Sequence, residues 1–134
     1  MTNKIALITG ASKGIGLEVA RQLGRQGIAV LVAARTQAAA EEAAAELRQE
    51  GIEATGLQLE VTNADHIARA ARFLEKEYGR LDILVNNAGI LAEKTDYDGD
   101  AFRDTFEVNT FAPYFLTEAL MPLLLKSEAG RIVN

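Results

Sequence analysis

A chain of 134 residues, 49% hydrophobic and 25% charged, is long enough to bury one core, and nothing in its composition suggests disorder or a second domain. Its formal net charge of -5 argues against a general attraction to nucleic acid or to anionic membrane surfaces, which require clustered Lys and Arg. The absence of cysteine excludes disulfides and thiolate metal sites and is compatible with a cytoplasmic location.

Ile5 to Ile8 is uniformly apolar, which suits a strand covered on both faces, as in a parallel sheet. It runs through Thr9 to Gly16, TGASKGIG, into a helix with Ile15, Val19, Leu23 and Gln26 at helical spacing and Gly27 just past its end. In that turn Gly10 lets the strand reverse tightly, Gly14 lets the backbone approach a bound group, and Gly16 lets the helix pack on the sheet. The helix N-terminus it opens favours an anion such as a pyrophosphate. An ordinary strand-to-helix turn carries the same glycines, so this stretch alone does not decide a function.

Ile28 to Ala33 reads as the second strand, and Thr36 as the N-cap of an alanine- and glutamate-rich helix running to about Glu50 and stopping at Gly51. Ala54 to Leu59 is the third strand. Thr62 or Asn63 caps a helix through Ile67, Ala70, Phe73, Leu74 and Tyr78, which Gly79 ends, and Leu81 to Val85 is the fourth strand. A polar surface loop is expected from Gly89 to about Asp100, then a short helix near Phe102 to Val108 and a long apolar helix. Thr117, Glu118 and two prolines keep Phe111 to Leu125 short of a membrane span, and Pro122 should bend it. Arg131 to Asn134 looks like the start of a fifth strand. With right-handed crossovers this alternation predicts an α/β, doubly wound parallel sheet of strand order 3-2-1-4-5, with its crevice above strands 1 and 4.

TGASKGIG at the first turn, NNAG at Asn86 to Gly89 and Asn109 opening the long helix together resemble the short-chain dehydrogenase/reductase family. FLEKEYGRLDILVNNAGI is most similar to its carbonyl reductase branch, and the likeness runs from Lys4 to Asn134. The resemblance implies a Rossmann fold and hydride transfer between NAD(H) or NADP(H) and a carbonyl or alcohol, without metal. It implies that Gly10, Ser12, Lys13, Gly14, Ile15 and Gly16 hold the dinucleotide, that Glu60 and Val61 meet the adenine, and that Asn87, Ala88 and Gly89 line the cofactor. Glu60 stands where the family usually has aspartate. Thr9 would tie its hydroxyl to NNAG, Asn86 would bond between strands, and Asn109 would be the active-site asparagine, holding a bend in the helix and a water of the proton relay. Plainer readings stay open: Glu60 as a solvated carboxylate, Asn86 as purely structural, Asn109 as a helix cap.

Only NADP carries a further phosphate on the adenosine ribose, and a carboxylate would repel it. Where NAD-preferring members of the family place that acid, this chain has Ala34 followed by Arg35. Lys13 should face the same ribose, so Lys13, Arg35 and the Ser12 hydroxyl favour NADP(H) over NAD(H), unless both cations are merely solvated loop charges. His66 is expected on the solvated surface. Asp96, Asp98 and Asp100 lack the spacing of a calcium loop and read as solvated.

The family's serine and its tyrosine with a lysine four residues later have no counterpart here. Tyr78 is followed at that spacing by Asp82, Tyr97 by Ala101 and Tyr114 by Glu118. The leading expectation is thus the amino-terminal part of an NADP(H)-dependent carbonyl reductase, with residues 1–134 forming a Rossmann domain incomplete at its fifth strand. A homo-oligomer formed through the helix after Asn109 is expected, as is a small carbonyl or alcohol substrate. A non-catalytic NADP(H)-binding module or redox sensor, and an interaction fragment pairing with full-length reductase subunits, are the alternatives.

Overall fold

Strand β1 (Ile5–Ile8) is buried along its whole length, as its unbroken apolar sequence requires. In the computed structural model, which describes residues 3–89, 100, 103–104 and 107–134, it lies at the centre of a five-stranded sheet. β2 (Ala29–Ala34) pairs on one side with Ala6 opposite Val30, and β4 (Ile83–Val85) on the other with Ala6 opposite Ile83. β3 (Ala54–Gln58) adds to β2 and β5 (Arg131–Val133) to β4, every pair parallel, so the order is β3-β2-β1-β4-β5. The strand order read from the sequence is the one observed.

Alternation along the strands sends side chains into two separate cores. Ala6, Ile8, Val30 and Val32 face α1 (Gly14–Arg25) and α2 (Gln37–Gln49), where Ala20, Ala43, Ala44 and Leu47 are buried. Leu7, Leu31 and Leu84 face α3 (Ala64–Glu77) and α4 (Ala112–Leu124), against Ala70, Leu74, Leu116 and Leu120. The expected inward face of α1 needs one correction. Leu17, Val19 and Leu23 pack against the core, but Ile15 is 77% exposed because it belongs to the first turn, which lies beyond the edge of the apolar layer.

Local chemistry fixes the helix ends. Thr36 Oγ1 accepts the Ala39 N–H at 3.2 Å, and Asn63, rather than Thr62, caps α3 by accepting the His66 N–H at 3.1 Å. Gly27, Gly51 and Gly79 follow the helices at positive φ. Gln37 does further service at the open edge of β3. Its amide oxygen accepts the Gln58 N–H and its amide nitrogen donates to the Gly56 carbonyl, standing in for one rung of an absent neighbour strand.

Asp82, at the foot of β4, is 6% exposed and serves as a junction. It accepts the Ile5 N–H at 2.8 Å, the Arg80 guanidinium at 3.2 Å and the Ser127 hydroxyl. Burial alone would raise its pKa; the Ser127, Ile5 and Arg80 donors outweigh it and hold the carboxyl below the ordinary aspartate range. The loop expected after Gly89, with Asp96, Tyr97 and Asp98, lies outside the described residues, as does Phe102 of the expected short helix. A π-helical turn, Glu107–Phe111, runs without a break into α4, with Pro113 in the first turn and Pro122 inside the helix.

Candidate functional site

The turns that leave the carboxyl ends of β1, β2, β3 and β4 meet around one cavity of about 400 Å³. That is where an open α/β sheet binds ligands when its strand order reverses between neighbours, as it does here between β1 and β4. From the first turn come Gly10, Ser12, Lys13 and Gly14, from the second Ala34 and Arg35, from the third Leu59, Glu60, Val61 and Thr62, and from the fourth Asn87, Ala88 and Gly89. Val108 closes one side. Of the residues expected to hold a dinucleotide, Ile15 and Gly16 do not line this cavity. Gly16 is buried behind the turn, where a Cβ would lie 2.5 Å from Asn87 Nδ2 and 2.6 Å from the Gly10 carbonyl oxygen.

The first turn is tied to the fourth by the Thr9 hydroxyl and the Asn87 side chain. Thr9, 1% exposed, accepts the N–H groups of Asn87 at 3.0 Å and Ala88 at 2.9 Å, while Asn87 Nδ2 donates to the Gly10 carbonyl at 3.1 Å. These bonds give the NNAG segment a fixed height above the glycine turn. Asn86 faces the other way, its backbone N–H on the Val133 carbonyl at 2.7 Å and its side chain on Asn134 and Thr117. It joins β4 to β5 and α4.

Two cations, Lys13 and Arg35, and one carboxylate, Glu60, line the cavity. Lys13 and Arg35 form no ion pair among the described residues, whereas Arg21, Arg25, Arg48 and Arg80 are each paired with a carboxylate. Lys13 is also the N-cap of α1 and makes no side-chain cap there, so the first N–H groups of that helix are left for another acceptor. Gly14, at φ +63, has nothing within 4 Å of where a Cβ would stand, leaving room against the helix end.

Beside this cavity lies a larger one of about 860 Å³, sharing Ala88 and Gly89 with it and bounded by Asn109, Tyr114, Thr117, Glu118 and Met121. Asn109 sits in the π-helical turn, its Oδ1 3.1 Å from the point a Cβ on Gly89 would occupy. Such turns are frequent at functional sites because they redirect one side chain out of the helical register. The structure thus brings Asn109 to the NNAG segment, at the boundary of the two cavities.

A model described as short chain dehydrogenase matches residues 4–134. The chain belongs to the short chain dehydrogenase family. YxjF of Bacillus subtilis strain 168, described as an uncharacterized oxidoreductase, is 39% identical across 100% of this chain and 53% of its own. The 5-keto-D-gluconate 5-reductase of Escherichia coli K12 is 34% identical across 100% of this chain and 54% of its own. Among solved structures, an actinorhodin polyketide ketoreductase with NADPH superposes at a TM-score of 0.87 with 36% identity, covering 98% of this chain and 52% of that one. The chain therefore spans about half the length of these relatives.

For this short chain dehydrogenase chain the sequence reading erred at His66, which is half-buried rather than solvated. Its Nδ1 accepts the Glu60 N–H at 3.0 Å. The available signal was its place three residues after the N-cap Asn63, from which a side chain can reach back over the helix start. Thr62, expected only as a possible N-cap, and Val108, expected only at the end of a short helix, both line the cavity, and neither stands in a motif that marks it for that place. No helix of the described residues is long and apolar enough to cross a membrane.

Proposed function

We propose that this chain supplies the dinucleotide-binding half of an NADP(H)-dependent oxidoreductase that transfers hydride between the nicotinamide and a small carbonyl or alcohol, with the carbonyl reductase branch as the model. The observation that carries the reading is the cavity at the strand ends, lined by Ser12, Lys13 and Arg35, with Ala34 where a carboxylate would repel a phosphate. The residues present suit the group in three respects: two cations without carboxylate partners among the described residues, an uncapped helix N-terminus, and open space at Gly14.

The nicotinamide, when bound, supplies or takes the hydride. The chain's residues bind and orient. Lys13 and Arg35 balance the ribose phosphate while the Ser12 hydroxyl donates to it, and Gly10 and Gly14, the glycines of the first turn that line the cavity, present backbone to the pyrophosphate. Glu60 accepts from the adenine amino group with Val61 against the ring. Asn87, Ala88 and Gly89 line the path toward the larger cavity, where Asn109 orients a water. A homo-oligomer through α4 and a cytoplasmic setting belong to the same reading; the first is supported by the exposed aromatic residues of that helix, the second by the lack of cysteine.

Calorimetric titration with NADPH and NADH tests the preference. Each charge-assisted contact contributes ~1.5–3 kcal/mol, so wild type should bind NADPH more than about tenfold tighter, and Arg35→Asp should erase that margin. Equal affinities of the wild-type protein for the two dinucleotides would sink the proposal.

A further inference from the structure

The turn that carries Glu60 into the cavity is held by a closed circuit of four hydrogen bonds at the start of α3. The Asn63 N–H donates to the Glu60 carbonyl at 2.9 Å, the His66 N–H donates to Asn63 Oδ1 at 3.1 Å, and the Ile67 N–H donates to the Asn63 carbonyl at 3.0 Å. The fourth bond closes the ring: the Glu60 N–H donates to His66 Nδ1 at 3.0 Å. In an ordinary capping box, the side chain three residues into the helix reaches back to the N-cap N–H. Here the Asn63 N–H is already engaged by Glu60, and the longer imidazole reaches three residues further back, to a residue that lines the cavity.

This contact works in only one protonation state. An imidazole nitrogen that accepts an N–H carries no proton, so His66 must be the neutral tautomer with its proton on Nε2. Protonation places a second N–H at Nδ1, pointed at the Glu60 N–H, and the bond becomes a repulsion between donors. The charged residues next to His66 along the chain are Asp65 and Arg69 on α3, and Glu60 supplies the N–H that its ring accepts. None of them forms an ion pair with His66 among the described residues.

We propose, resting on the nucleotide reading above, that His66 is a positioning residue for the adenine end of the dinucleotide: neutral, it locks the Glu60–Thr62 turn in its binding shape, and on protonation it releases it. Affinity should then fall as pH drops from about 8 to about 5, the range in which histidine side chains change charge.

The test is a fluorescence titration of the full chain with NADPH across that range, using wild type, His66→Asn and His66→Leu, with circular dichroism at each pH to confirm folding. Asn places its Oδ1 near the position of Nδ1 and accepts without titrating, whereas Leu cannot accept. The ligand's own 2′-phosphate titrates in this range, so the difference between wild type and His66→Asn carries the result. Wild type should weaken about threefold to tenfold more than His66→Asn between the pH extremes, the worth of one hydrogen bond. His66→Leu should be weakened by a similar factor already at pH 8, and His66→Asn should restore the affinity. Superimposable pH profiles for wild type and His66→Asn would overturn the role of His66, as would a folded His66→Leu protein binding at pH 8 as tightly as wild type. Absence of NADPH binding by wild type at pH 8 would overturn the nucleotide reading, and this role with it.

Discussion

Gly10 and Gly14 both lie at positive φ, yet a methyl group would meet different surroundings at each. At Gly10 it would stand 2.9 Å from Ala88 Cα and push the NNAG segment off the first turn; at Gly14, which lines the cavity, it would meet no protein atom within 4 Å. Gly14→Ala should therefore cost only the left-handed backbone strain, ~1–2 kcal/mol by urea denaturation, while weakening NADPH binding beyond detection. Gly10→Ala should cost more in stability, because backbone must move. The sequence marked both glycines without separating these demands, since the separation depends on Ala88, far along the chain. Asp82 is a similar case: in the sequence it is one acid inside the apolar run Leu81 to Val85, and its partner Ile5 lies 77 residues away. Asp82→Ala leaves the Ile5 N–H unsatisfied in the interior and should destabilise by about 3 kcal/mol. Because the folded carboxyl titrates below the ordinary value of 3.8, its stabilisation is complete above that pH and disappears as pH falls through the lower, folded value. Urea midpoints measured from neutral pH down through that window should decline more steeply for wild type than for Asp82→Asn.

At the scale of elements, the strand order was legible because the buried apolar runs alternate with helices, of which the first three end at Gly27, Gly51 and Gly79 and two are capped, by Thr36 and Asn63. The turn before α4 was not. A π-helical turn differs from an α-helical one in its hydrogen-bond register, and no residue type in Glu107–Phe111 announces it, so a separate short helix was the natural expectation. The two-sided character of α4 was legible and has a consequence. Ala112, Leu116, Leu120, Leu123 and Leu124 fill the core, while Phe111, Tyr114 and Phe115 stand 48%, 65% and 53% exposed on the opposite stripe, too large an apolar set to face water singly. Tyr114 and Phe115 pack edge to face at 5.5 Å, and together they present a firm aromatic ridge. Light scattering should show concentration-dependent association that Phe115→Glu removes without lowering the unfolding midpoint, because that side chain contributes nothing to the core. A wild-type protein that stays monomeric at every concentration would refute the self-association.

Across the whole molecule, binding and reaction chemistry separate. The turns after β1 to β4 assemble one cavity from parts scattered over the chain, and the Gly10, Lys13, Arg35, Glu60 and Asn87 motifs that meet there were all readable because each sits at the end of a strand. A carbonyl that accepts hydride develops negative charge on oxygen and needs a proton donor, together with donors that stabilise that oxygen. Around the larger cavity the chain offers Asn109, whose amide is not an acid, and Tyr114, whose neighbour one helical turn on is Glu118 rather than a cation. Tyr78 is packed against Phe73 at 6.5 Å beside the core and faces neither cavity. Absence of a general acid typically costs ~10²–10⁴ in rate, and none of the three tyrosines of this chain has a lysine four residues later. The 134-residue chain alone should therefore bind NADPH yet leave its absorbance unchanged in the presence of reactive quinones and ketoesters. The matching positive is the same chain extended by a serine and a tyrosine with lysine four residues later, which should consume NADPH. Turnover by the 134-residue chain would identify a proton donor within it, and Tyr114→Phe would be the first variant to make, since that hydroxyl is the one tyrosine group lining the larger cavity among the described residues.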